Sequence, residues 1–179
     1  MDFETFDIKL DTEYTGRNFI YLEEIDSTNT FLLSQQDLKH GTVAFAENQT
    51  NGRGRLDRKW ISQPGVNLLF SIFLNPSEID VKKIQLYNLA TSLSIAFSIE
   101  NLLQIPTNLK WPNDVLIGKK KVSGILLESS SLGEKFNKIV VGVGVNVNQP
   151  YFQGKYLTEP TSLKLESKQL VSREKLFAE

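Results

Sequence analysis

The run from 81 to 103 constrains this chain more than any other segment. Leu86, Leu89, Ala90, Leu93, Ala96, Phe97 and Leu103 recur there at helical spacing, with further apolar residues widening the stripe. Such a pattern predicts one long, largely buried helix. Pro106 stops it, because proline lacks the amide that would continue the ladder. What surrounds it reads as short strands: 19–22, 42–46 and 67–74 before it, and 108–111, 115–117, 122–127 and 138–147 after it, with turns at Gly118 and Gly133. Hairpins beside one long buried helix predict an α+β sandwich rather than alternating βαβ units.

A second, short helix is expected over 29–36, capped by the hydroxyl of Ser27 or Thr28. The stretch 49–60 carries Gly52 and Gly54 with no apolar periodicity and reads as a loop. From Leu170 the tail opens as a helix, with Ser172 as cap and Leu176 and Phe177 as apolar contacts, and it reads as cut short after barely two turns. With 179 residues the chain is long enough for one domain with a proper core.

Composition excludes several chemistries. The chain holds no cysteine and a single histidine, His40, so disulfides, thiolate metal sites and cysteine nucleophiles are ruled out and a histidine base is disfavoured. His40, just before Gly41 where a loop enters a strand, reads as incidental. A net charge of -1 is not that of a nucleic-acid or membrane binder. Residues 1–10 have neither the basic head nor the apolar run of a secretion signal, and no apolar stretch approaches the ~20 residues a membrane span needs. The cytoplasm is the expected compartment.

Four clusters can carry chemistry. Gly52-Arg53-Gly54-Arg55-Leu56-Asp57-Arg58-Lys59-Trp60 puts four cations against one acid on a glycine-punctuated loop, suited to a phosphate or carboxylate, with Trp60 as a face for a purine. A plain solvated basic loop would look the same. Lys110-Trp111-Pro112-Asn113-Asp114 can be a hairpin turn, or a place where Asp114 holds a metal or accepts a proton. Gly118-Lys119-Lys120-Lys121 fails as a phosphate loop, since Asn113 stands where the first glycine belongs and Lys120 where Ser or Thr belongs. Lys121, leading into an apolar strand, is the lysine expected to enter a pocket. Gly142-Val143-Gly144-Val145-Asn146 lacks the third glycine of a dinucleotide fingerprint and reads as a strand bare on one face, leaving room for a ligand or a close neighbour.

In their order and spacing, Ser27-Thr28-Asn29, Gln49, the Arg53/Arg55 loop, Lys110 to Asp114, Lys121 to Leu126 and Gly142 to Asn146 strongly resemble the biotin protein ligase family. The resemblance covers roughly 19–165. It implies a mixed β-sheet backed by helices, as in class II aminoacyl-tRNA synthetases, and an enzyme that activates biotin with ATP and Mg2+ before transferring it to a lysine of a biotin carboxyl carrier protein. By it, Ser27, Thr28, Asn29, Gln49, Gly52, Arg53, Gly54, Arg55, Lys121 and Gly124 are expected on biotin. Arg55, Trp60, Lys110, Asn113 and Asn146 are expected on the nucleotide. Lys121, Arg53, Arg55 and Asp114 are the expected catalytic groups, with Asp114 also the magnesium ligand.

Leu56-Asp57 stand where many relatives carry Arg or Gly. The resemblance further implies a single catalytic domain over 1–179, without the winged-helix DNA-binding domain of repressor-type members and without the small C-terminal SH3-like domain, and with a homodimer as one possible state. Two rivals remain at this level. A lipoate–protein ligase would share fold and activation chemistry but needs no polar array for a urea. A non-catalytic biotin-binding module would not need Lys121 and both arginines.

Overall fold

The computed structural model describes residues 10–133 and 135–179; the reading of the N-terminal segment as free of a secretion signal lies almost entirely outside them. Seven strands form one mixed sheet: β1 (Phe19–Ile25), β2 (Val43–Gln49), β3 (Leu68–Leu74), β4 (Asn108–Lys110), β5 (Asp114–Ile117), β6 (Lys120–Leu132) and β7 (Lys135–Val145). Their spatial order is β1-β2-β3-β7-β6-β5-β4. β1 and β2 run parallel and every other neighbouring pair is antiparallel. Parallel neighbours need a crossover, and α1 (Thr28–Ser34) lies in it. The sheet therefore opens with one βαβ unit that the expectation of hairpins alone did not contain.

Alternation sorts the side chains onto two faces. Val43, Phe45, Phe70, Val141, Val143 and Val145 join Ala96 and Ile99 of α2 (Ile84–Leu103) and Leu176 of α4 (Arg173–Ala178) in the main core. The opposite face packs Ala44, Phe73 and Val140 against Leu32 of α1. Most of that second face is left for the site. A fourth helix, α3 (Leu163–Ser167), completes the set. Among the described residues, no helix is long and apolar enough to cross a membrane.

Two local expectations are corrected. The long helix begins with a 3-10 turn at Val81–Lys83, and it is not largely buried: its inward stripe is Asn88, Ser92, Ala96 and Ile99, whereas Leu86 and Phe97 are 56% and 54% exposed. Apolar residues on several faces gave no single inward face, and the small side chains let the helix lie close to the sheet. Ser27 holds the N-cap position of α1, but its hydroxyl caps nothing; Gln49 Oε1 accepts the Thr28 amide instead, at 2.8 Å. In α4 the cap does form, with Ser172 accepting from Lys175. His40 has a structural partner, its Nδ1 accepting the Asn75 amide at 3.1 Å.

The C-terminal helix is tied to the sheet by Arg173, whose guanidinium donates to both oxygens of Glu47 and to the Asn67 carbonyl. Both partners are only 12% exposed. Burial pushes the Glu47 carboxyl up, but the Arg173 bonds are among those pulling it down, and it ends below the ordinary carboxylate range. Its contribution to stability is therefore complete above that range and is lost as pH falls through the depressed value. Arg173→Ala, which takes the guanidinium from a carboxylate that keeps the Tyr21 hydroxyl at 3.4 Å, is expected to cost about 2 kcal/mol. Denaturant unfolding at neutral pH checks this, and a midpoint like that of the parent would refute it.

Candidate active site

The site rests on a row structure imposed by strand register. Directly paired residues share a face, so Ser71, Gly142 and Leu126 line up across β3, β7 and β6, and Leu69, Gly144, Gly124 and Asp114 line up one row along. The glycines leave the middle of both rows bare. A Cβ at Gly142 would stand 2.2 Å from Asn29 Oδ1, and one at Gly144 would stand 2.4 Å from the Trp60 ring. The bare face expected from the Gly142–Gly144 run thus admits Asn29 from α1 and the Trp60 indole from the loop.

Around Asn29 the polar groups form a closed set. Ser71 Oγ donates to Asn29 Oδ1 at 2.5 Å and lies 2.6 Å from Thr28 Oγ1. Asn29 Nδ2 donates to the Leu126 carbonyl at 3.1 Å and to Glu128 Oε2 at 2.7 Å. Ser27, Thr28 and Asn29 are each 3% exposed. Buried polar groups cost stability unless bonded, and these bonds hold Thr28 and Asn29 in fixed orientation beside the cleft. Ser71 and Glu128 were missed by the sequence reading. Ser71 sits in an apolar strand as a lone hydroxyl, and only the register reveals that it faces α1.

The loop from Gly52 to Trp60 is folded back on itself rather than irregular. The Trp60 amide donates to the Gly52 carbonyl at 2.9 Å and the Gly54 amide to the Arg58 carbonyl at 2.7 Å. At its tip Leu56 and Asp57 have φ of 55° and 57°, and the Arg58 amide reaches the Arg55 carbonyl at 3.3 Å. Two left-handed central residues are the pattern of a type I′ turn, favoured by Asn and Gly and strained for leucine. A Cβ at Gly52 would lie 2.6 Å from the Trp60 carbonyl oxygen, so this glycine lets the two limbs of the loop approach.

Charge is concentrated and partly matched. Lys121 Nζ lies 2.6 Å from Asp114 Oδ1 and 5.5 Å from the Trp60 ring centroid, close enough for a cation–π contact. Its backbone is pinned on both sides, the amide to Glu159 and the carbonyl to Thr161. Arg53 pairs with Glu128 at 2.8 Å, and Arg55 makes no ion pair with any described residue. Lys110 Nζ reaches Thr158 Oγ1 at 2.7 Å. Asn113 donates its amide to the Ile125 carbonyl at 2.6 Å, clamping β5 to β6, and Asn88 of α2 holds the Pro112 carbonyl of the same turn at 3.0 Å.

One cleft of about 770 Å3 is lined by every predicted site residue except Gly52, while Ser71, Asn88 and Glu128 support it from outside its lining. Phe152, Lys155, Tyr156 and Pro160 line it too, from a stretch the sequence reading had passed over. Two buried polar atoms on the cleft residues have no partner, Trp60 Nε1 and Asn146 Oδ1, one a donor and one an acceptor. A purine, which offers ring acceptors and an amino donor, suits that pair of atoms. Asp114, the expected magnesium ligand, is ion-paired with Lys121, and among the described residues no group of three or more His, Cys, Asp or Glu is placed to hold a metal ion on protein ligands alone.

Known proteins are similar to this chain in sequence and in fold. The chain is 37% identical over 142 residues to the bifunctional ligase/repressor BirA of Bacillus subtilis, covering 78% of this chain and 43% of that protein. It is 35% identical over 140 residues to the biotin–[acetyl-CoA-carboxylase] ligase of Mycobacterium tuberculosis, covering 74% of this chain and 50% of that one. The chain therefore spans about half the length of these relatives, or less. Among solved structures, biotin protein ligase from Aquifex aeolicus in complex with biotin and ATP matches with a TM-score of 0.80 and 38% identity, over 90% of this chain and 66% of that one. With residues 21–146 matching the Biotin/lipoate A/B protein ligase family, the chain belongs to that family.

Proposed function

We propose that this chain is a biotin protein ligase, converting biotin and ATP to biotinyl-5′-AMP and passing the biotinyl group to a lysine of a biotin carboxyl carrier protein. The observation that carries the reading is one cleft with two chemically distinct ends. The buried Ser27, Thr28 and Asn29 stand with Gln49 at one, Lys121 stands over Gly124 at the other, and the loop cations Arg53 and Arg55 lie along the cleft, Arg53 meeting Asn29 at Glu128. Biotin has that division: a flat ureido ring rich in donors and acceptors, and a carboxylate on a tail. A lipoate dithiolane has no donors or acceptors to match that polar end.

In the first step a biotin carboxylate oxygen attacks the α-phosphorus of ATP, and the bond from that phosphorus to the bridging oxygen breaks, releasing pyrophosphate. Both reactants are anions, and Lys121 with the two loop arginines offsets their repulsion. Magnesium belongs here to the substrate, as the counterion of ATP. In the second step the carrier lysine attacks the acyl carbon and AMP leaves. The amine must shed a proton, and Asp114 is the carboxylate in the cleft that can take it. The folded loop with its Trp60 lid keeps water from the mixed anhydride meanwhile.

Pyrophosphate release on mixing the chain with ATP–magnesium and biotin tests the reading. Release with lipoate instead would transfer the assignment to the lipoate branch of the family, and release with neither would leave a binder. A second expectation concerns the floor. Gly142→Ala drives a methyl into Asn29 and should weaken biotin binding about tenfold, measured by calorimetry alongside an unfolding curve. Unchanged affinity would detach Asn29 from the biotin pocket.

A further inference from the structure

Glu128, on β6, has no place in the reaction as derived, yet it joins the site's two halves. One of its oxygens, Oε2, accepts from Asn29 Nδ2 at 2.7 Å and from Arg53 Nη2 at 2.8 Å. Its side chain is 26% exposed, beneath an Arg53 side chain that is 40% exposed. Asn29 is itself fixed by Ser71 and the Leu126 carbonyl, so it presents its amide to Glu128 in one orientation.

The loop has little else to hold it. Its tip is strained at Leu56, which is 78% exposed. Its closing contacts with the sheet are the Trp60 ring over Gly124 and Gly144, with Lys121 Nζ 5.5 Å from the ring centroid, and Arg53 on Glu128. We propose that Glu128 is the latch of this loop: a positioning residue that holds the Gly52–Trp60 segment down through Arg53 and, by sharing the same oxygen with Asn29, ties loop closure to the biotin-ring pocket. A carboxylate suits the role because charge-assisted bonds are the stronger ones and one oxygen accepts two of them. The link to biotin rests on the function proposed above; the latch itself does not.

Glu128→Gln separates the two bonds, since glutamine still accepts from Asn29 but loses the charge that pairs Arg53. Arg53, Arg55, Arg58 and Lys59 make the loop a tryptic target. In the ligand-free variant, cleavage after Arg55, Arg58 and Lys59 is expected to accelerate about threefold to tenfold, because proteolysis follows the open population. The thermal midpoint should stay at the parental value. Dissociation of preformed biotinyl-AMP should accelerate by a similar factor.

Arg53→Met, which breaks the pair from the loop side and leaves β6 intact, should accelerate the same cleavages. The double variant should be no faster than the quicker single, as expected for partners in one interaction. Unchanged cleavage in both single variants, or single effects that multiply in the double, would overturn the latch. Such a result with pyrophosphate release intact counts against the latch alone. Absence of pyrophosphate release counts against the function and leaves the cleavage test valid.

Discussion

Lys121→Ala is expected to slow adenylate formation by ~10²–10³, the loss typical when a group stabilising transition-state charge is removed. The ammonium sits 2.6 Å from Asp114 in the cleft, on a backbone held from both sides, so it is placed before any substrate arrives. Negative charge is greatest as the carboxylate closes on the α-phosphorus, and the cation counts most there. The alanine variant removes that charge and also strands Asp114, adding an unpaired anion beside two anionic reactants. Lys121→Met with Asp114→Asn should therefore recover part of the loss, which separates the stranded carboxylate from the missing ammonium. Biotin affinity should change far less, because Ser27, Thr28, Asn29 and Gln49 are untouched. Single-turnover pyrophosphate release within about threefold of the parent would remove Lys121 from the catalytic set.

How much of this was legible in the residues depends on the kind of information each feature carries. The strands, the long helix and the α4 cap follow from local periodicity and capping chemistry, and they appear close to their expected positions. The inward face of α2 did not follow. Leu86, Leu89, Leu93 and Phe97 satisfy a helical stripe as well as Ala96 and Ile99 do, and only packing decides between them. The cleft was legible because its chemistry is written in short runs: cations at 53, 55 and 121, and polar residues at 27–29.

Ser71 and Glu128 were illegible for a different reason. Each is ordinary in its own strand and acquires its role from a register between β3, β7 and β6 that no local pattern states. The glycines at 142 and 144 lie between these cases. Their bareness was visible, but that Asn29 and Trp60 fill it depends on where a distant helix and loop return to the sheet.

Arg55→Gly should produce an enzyme that still makes biotinyl-AMP but no longer keeps it. Of the three cations given catalytic roles, Lys121 and Arg53 already face carboxylates, whereas Arg55 lines the cleft with no ion pair among the described residues. Its charge is the one available in full to the phosphate of the intermediate. It also sits at the first position of the loop's tip turn, and with Lys121 and Arg53 still in the cleft to offset the reactants' repulsion, synthesis should survive its loss better than retention does. Losing a charge-assisted, bidentate contact costs ~1.5–3 kcal/mol, or roughly tenfold to a hundredfold faster release.

Glycine at this position would also loosen a turn already strained at Leu56, which pushes the same way. The released acyl-adenylate then acylates whatever amines it meets. The measurements are the dissociation rate of biotinyl-AMP and the labelling of an unrelated bystander protein mixed with the chain. Arg55→Lys should fall between, keeping charge without the fork that grips two oxygens. Should release stay at the parental rate and bystander labelling not rise, Arg55 is a solvated cation and the loop retains the intermediate through Trp60 and its latch alone.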